Sequence, residues 1–251
     1  MPNIPLAPSH LLSISDGDTP EVKMGIRMLG IDAPELHFPG TQSPASQDGL
    51  LAGLPKTAAW KDLPKGLRDH LKDRLEEGGT REAEWGLKAK EAFEAMVKEA
   101  LHQKGAKGPR QLFMLCGPQV FDCYGRILAY VGPYVPRSER AGAPSPDTFN
   151  LRMLALGMAA PCIHADNLPK PADLARVAAA VQAARKRKLG FWKEADRILH
   201  GYEFRAIVRL GTGQGSFRYL VSDLRDHSTA IKDSHPAADY YLIPDEYRLF
   251  L

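Results

Sequence analysis

Two short stretches of this chain set acids and arginines among apolar residues. Ile26–Glu35 reads IRMLGIDAPE, Asp122–Val131 reads DCYGRILAYV, and upstream of both lies Asp16-Gly17-Asp18-Thr19. Together these residue types suit a metal ion and a phosphodiester. A hard cation such as Ca²⁺ takes oxygen ligands, and Asp18 with Asp32 offers two carboxylates while the backbone carbonyl of Ala33 offers a neutral oxygen, leaving the remaining places to water. Glu35, close behind Asp32, is placed to act through one of those waters as a general base. Arg27 and Arg126 carry planar forks that match phosphate oxygens bidentately, which a lysine does not reproduce.

Taken singly, each piece has a plainer reading. Asp16-Gly17-Asp18 follows Leu11, Leu12 and Ile14 as a turn ending a strand would, because Gly permits positive φ and Asp bonds its own backbone. Asp32-Ala33-Pro34-Glu35 also suits a turn or a helix start. The three elements in this order resemble the staphylococcal nuclease (thermonuclease-like) family. The resemblance implies metal-ligand aspartates at Asp18 and Asp32 with the Ala33 carbonyl, a catalytic glutamate at Glu35, phosphate-clamping arginines at Arg27 and Arg126, and a nucleotide-contacting tyrosine at Tyr124. Asp16 and Thr19 match the turn around the first ligand. Trp85–Val97, Phe149–Ala159 and Ala175–Trp192 resemble the family's three helices, so the likeness runs from Leu11 to Trp192. It implies an α+β fold built on a five-stranded OB-type β-barrel. It also implies a Ca²⁺-dependent nuclease acting on DNA, RNA or both, with nucleic acid as its partner; the alternative is a barrel that binds nucleic acid or protein without cutting. After Ala159 the chain reads Ala160-Pro161-Cys162-Ile163-His164, where the family type has a tyrosine-bearing segment. The corresponding base-stacking platform is missing.

Other features set bounds. The 251 residues carry a net charge of +3, compatible with a polyanionic substrate but too small for a nucleic-acid-packaging protein. Cys116, Cys123 and Cys162 form no CxxC pair, so reduced thiols are expected, with a Cys116–Cys123 disulfide across a Gly117-Pro118 turn left open. His164, His200, His227 and His235 lack zinc-ligand spacing. No secretory signal is legible at the N-terminus, so the expectation is cytoplasmic unless a signal has been removed, and no stretch is long enough to span a membrane.

The elements that must position the chemistry follow from pattern. Strands are expected at Leu11–Ser15, Val22–Leu29, Gln111–Cys116, Gln119–Asp122 and Arg126–Val131. A helix is expected over Arg81–Gln103, with Thr80 as N-cap, Gly105 as stop, and Phe93, Met96, Val97, Ala100 and Leu101 on one buried face. Residues 36–80 are an insertion. Leu36–Ala59 reads as loop, and Asp62–Glu77 as a short helix with leucines every fourth residue and Gly78-Gly79 as terminator. Its structural role is a cap over the barrel; its functional alternative is a lid near Glu35. The basic run Arg185–Lys188 reads as the end of a helix, where cations complement the dipole. Residues 1–197 are expected to form the nuclease-like domain and 198–251 a small β-rich extension. In that tail Phe204, Ala206, Val208 and Leu210 alternate with more polar neighbours, Phe217–Leu224 forms a second strand and Tyr240–Ile243 a third, and Arg205, Arg209 and Arg218 offer weak substrate contacts. A chain ending near Arg197 is expected to stay folded and to cleave.

Overall fold

The computed structural model describes residues 10–63, 65–102, 108–140, 147–163, 167 and 169–214. In chain order the elements are β1 (His10–Asp16), β2 (Thr19–Lys23), β3 (Ile26–Met28), β4 (Gly30–Asp32), α1 (Asp48–Gly53), α2 (Ala58–Lys61), α3 (Lys65–Leu75), α4 (Gly78–Leu101), β5 (Leu112–Phe121), β6 (Ile127–Pro133), α5 (Phe149–Ala155), β7 (Ala160–Cys162), α6 (Pro171–Lys186) and α7 (Gly201–Gly211). The class is α+β. No described helix is long and apolar enough to cross a membrane.

The strands make three separate pairings: a β1–β2 hairpin, a sheet in the order β3-β6-β5, and a β4–β7 pair. Among the described residues these do not close into one barrel. The expected strand Val22–Leu29 is divided at Met24-Gly25, after which β3 runs parallel to β6 with Arg27 opposite Leu128. Gly117-Pro118 makes no turn. The two strands expected around it are one strand, β5, antiparallel to β6 with an irregular register between Cys116 and Phe121, and none of Cys116, Cys123 and Cys162 is in a disulfide. Every residue of β1 and β2 is exposed, as are Phe113, Met114 and Leu115 of β5. The core lies instead among the helices.

The insertion contributes to that core. Leu36–Ala59 is not plain loop: it contains α1 and the first half of α2, and Leu51 and Leu54 are fully buried beside Trp60. Leu67, Leu71 and Leu75 of α3 lie in the same cluster, as their four-residue spacing leads one to expect. Each fully buried leucine contributes about 1.5–3 kcal/mol relative to exposure, which makes the insertion part of the folding unit. Gly78-Gly79 does not end a helix but begins α4. The cap of α4 is not Thr80 either: Asp48, on the insertion, accepts from the Gly79 and Thr80 amides at 2.7 and 3.2 Å and from the Thr80 hydroxyl at 2.6 Å. Its charge at a helix N-terminus satisfies donors the helix cannot pair itself. Gln103 and Gly105 lie outside the described residues.

The tail also departs from expectation. Phe204–Leu210 is helical, not extended, and belongs to α7. Alternation picked out Phe204, Ala206 and Val208, yet the buried residues are Phe204, Ile207 and Val208, at 0%, 0% and 2% exposure. That spacing is one face of a helix, not of a strand. Glu203 fixes the start of α7, its Oε2 accepting from the His200 amide at 2.6 Å. The helix packs against α1 and α4, so its apolar face joins the main core. Phe217–Leu224, Tyr240–Ile243, Arg218, His164, His227 and His235 lie outside the described residues.

Candidate nuclease-type site

The acids and arginines converge where β3, β4, α4 and α7 meet. Arg27 leaves β3 and donates through Nη2 to Asp32 Oδ1, with a longer bond to the Ile31 carbonyl at 3.4 Å. Asp32 ends β4, paired with Ala160 of β7, and is 1% exposed. Burying a charge is costly unless it is paired and hydrogen-bonded, and here two guanidinium groups answer. Arg205, on α7, donates to Asp32 Oδ2 at 3.0 Å and Oδ1 at 3.3 Å. Its Nη1 also donates to Glu35 Oε1. Burial alone would raise the Asp32 pKa; the charges of Arg205 and Arg27, with their hydrogen bonds, overcome it and hold the carboxyl below its ordinary value. Burial would likewise lower the Arg205 pKa, but Asp32 and Glu35 raise it well above the usual value.

The loop from Asp32 to Glu35 is gripped from two sides by helix backbone. Gly86 on α4 lies so close that a Cβ there would stand 2.6 Å from the Glu35 carbonyl oxygen, and a Cβ at Gly201, the first residue of α7, would stand 2.7 Å from both the Ala33 carbonyl and Asp32 Oδ2. Glycine is required for such approaches. Between these contacts Glu82 of α4 accepts from the Glu35 amide at 2.7 Å through Oε1, while its Oε2 is buried with no hydrogen-bond partner. Burial, opposed by the Glu35 amide and reinforced by the charges of Asp32 and Glu35, pushes the Glu82 pKa well above its ordinary value. Glu35 itself keeps its side chain 22% exposed and Arg27 33%, so the network opens to solvent on the side of these two residues.

Not every expected residue joins. Arg126 precedes β6, and the parallel register sets it two residues upstream of Leu128, the partner of Arg27. It stands outside the Asp32 network and pairs with Asp122 at 2.7 Å, whose burial would raise its pKa while bonds from Arg126 and Tyr124 lower it. Tyr124 is 65% exposed, its ring 5.4 Å from the Arg126 guanidinium. Asp18 sits in the exposed β1–β2 turn, bonded by the Thr19 hydroxyl at 3.0 Å. Among the described residues no three His, Cys, Asp or Glu side chains are grouped to hold a metal.

Sequence reading missed Glu82 and misplaced Arg205. Glu82 lies four residues before Gly86, one helical turn, and that spacing is the available signal once Gly86 is seen to abut the loop. Arg205, expected on a strand with a weak substrate contact, lies on a helix and contacts the acids instead.

A family model described as staphylococcal nuclease homologue matches residues 25–194. The match spans Arg27, Asp32, Glu35, Glu82 and Arg126, and leaves out both Asp18 and Arg205. No curated protein matches the chain.

Proposed function

The chain belongs to the staphylococcal nuclease homologue family, and from this premise we propose that it hydrolyses phosphodiester bonds of nucleic acid, DNA, RNA or both. The observation that carries this reading is the single network joining Arg27, Asp32 and Glu35 beside a solvent opening. Arg27 commits Nη2 to Asp32 and Ile31 and keeps its other nitrogens for an anion. Arg126 commits Nε and Nη2 to Asp122 and keeps Nη1. A phosphodiester held by both arginines presents its phosphorus to water next to Glu35, which takes the water's proton. The two guanidinium groups then meet the charge that grows in the pentacoordinate transition state, which collapses by breaking the bond from phosphorus to the 5′ oxygen; that oxygen leaves with a proton from solvent, and the 3′ end keeps the phosphate. Tyr124 lies beside Arg126 for contact with a nucleotide.

Calcium is the metal the resemblance implies, through Asp18, Asp32 and the Ala33 carbonyl. In this conformation those residues do not fit it, because both Asp32 oxygens are taken by guanidinium groups and Asp18 stands in the exposed hairpin turn. The five-stranded barrel belongs to the same proposal: joining the β1–β2 hairpin to the β3-β6-β5 sheet would cover Leu11, Ile14, Met114 and Leu115, all exposed at present. The second reading, a module that binds nucleic acid without cutting, is favoured by the engagement of Asp32 and Glu35 with Arg205.

The test offers the full chain single-stranded DNA, duplex DNA and RNA, each with Ca²⁺, with Mg²⁺ and with chelator, followed by analysis of product ends. Cleavage of at least one of these substrates is expected, and Glu35→Gln should reduce it by about 10²–10⁴ while the fold is kept, as loss of a general base does. Binding without cleavage in every arm would favour the second reading. Undiminished cleavage by the variant would remove Glu35 from the chemistry.

A further inference from the structure

Between the buried Asp32 and the partly exposed Glu35 stands a cation supplied by the chain itself. Arg205 spans both oxygens of Asp32 and reaches Glu35 with the same guanidinium group. A bidentate fork of charge-assisted bonds is among the strong arrangements an arginine and a carboxylate form, and here a further bond reaches a second carboxylate. The arginine is also held in place from behind. Phe204 beside it and Ile207 and Val208 on the following turn are buried in the core. The helix start is pressed against Asp32 and Ala33 at Gly201 and capped by Glu203. Charge is balanced within the group: Arg27 and Arg205 face Asp32 and Glu35. A divalent cation entering here would meet two guanidinium charges and no free oxygen on Asp32.

We propose that Arg205 is the resident cation of this site: its guanidinium holds the place a divalent metal would take between Asp32 and Glu35, so that metal binds there only when α7 gives the arginine up. The proposal rests on reading the cluster as the nuclease-type site. It lies outside the residues the family model matches, since α7 follows residue 194. Arg205 is accordingly an intramolecular competitor, and the last described helix controls whether the acids are available.

The test reads metal binding and needs no substrate, so a protein that never cleaves can still pass it. Ca²⁺ is titrated by calorimetry into the full wild-type chain, Arg205→Gln, Arg205→Lys and the double variant Arg205→Gln/Asp32→Asn, with folding checked by circular dichroism. Arg205→Gln is expected to bind Ca²⁺ at least about tenfold more tightly than wild type, and the added Asp32→Asn to abolish that gain. Arg205→Lys keeps the charge but cannot span both carboxylates, and should show a smaller gain. Equal affinity in wild type and both variants overturns the proposal, as does a gain that survives loss of Asp32. Should Arg205→Gln fail to fold, Arg205→Lys alone decides. Should neither fold, the wild type decides: Ca²⁺ binding that Asp32→Asn removes overturns the proposal, and its absence supports it.

Discussion

Glu203→Gln would show how firmly α7 is held in place. Glu203 is 0% exposed; its Oε1 lies 2.9 Å from His70 Nε2 on α3, and its Oε2 accepts from the His200 amide at the start of α7. Burial raises its pKa, but the charge of His200, the bond and charge of His70 and the His200 amide together lower it from 4.5 to about 2. At about 1.36 kcal/mol for each tenfold change in proton affinity, that displacement corresponds to about 3 kcal/mol, undiminished by solvent at a fully buried group. The sign follows from linkage: an acid whose folded pKa is depressed contributes fully above its unfolded value, and the contribution is lost as pH falls from about 4.5 to about 2. Glutamine keeps the shape and one acceptor, for His200, so the helix cap, worth about 0.5–2 kcal/mol, stays while the charge and the oxygen facing His70 are removed. Urea unfolding of wild type and variant at a series of pH values is the assay. The variant should be less stable by about 3 kcal/mol near pH 5, where histidine ordinarily carries its charge, and the two stabilities should converge toward pH 2. Other carboxyls titrate in both proteins and drop out of the difference. A gap independent of pH would refute the reasoning, since Glu203 would then act by packing alone.

The arginines and the tail give two further expectations. Arg27→Lys and Arg126→Lys should each lower the turnover number on an oligonucleotide more than substrate affinity, because charge is kept while bidentate geometry is lost; a change confined to the Michaelis constant would make that arginine a binding residue only. A chain ending at Arg197 loses Phe204, Ile207 and Val208 from the core, each worth about 1.5–3 kcal/mol against a total stability of about 5–15 kcal/mol. Its thermal unfolding followed by circular dichroism should show a large loss of stability or no cooperative transition, and a native-like transition would return the tail to the status of an appendage.

Legibility in the sequence tracked how local each interaction is. α3 and α4 are legible because their apolar residues recur at helical spacing, whereas α5 is expected only from the family resemblance and α6 from that resemblance and its basic end. α1 and α2 are not legible, since they span six and four residues, too short for a period to emerge from Gly- and Pro-rich sequence. In α7 the pattern carried both periods at once. Ile207 was the deciding residue: its complete burial fits only the helix, and an eleven-residue helix offers few other positions to outvote the alternation around it. The capping relation between His200 and Glu203 was a second local signal for a helix start, obscured because histidine is not among the common N-cap residues.

The site shows the same division more sharply. Arg27, Asp32 and Glu35 lie within nine residues and form one network, so a motif spanning β3, β4 and the turn that follows locates the acids and their first counter-charge. What a motif cannot carry is which cation finally neutralises them. Arg205 is 173 residues from Asp32 and Glu82 is 47 residues from Glu35, and neither has a spacing that ties it to the loop it contacts. Their placement comes from packing: Gly86 and Gly201 let two helices close on the same four-residue turn, and whatever side chains those helices carry one turn away are delivered to it. An arginine on α7 therefore changes the chemistry of a motif whose own residues are all present. Under the proposal made for Arg205, metal affinity would then be a property of how α7 packs as much as of the acids themselves.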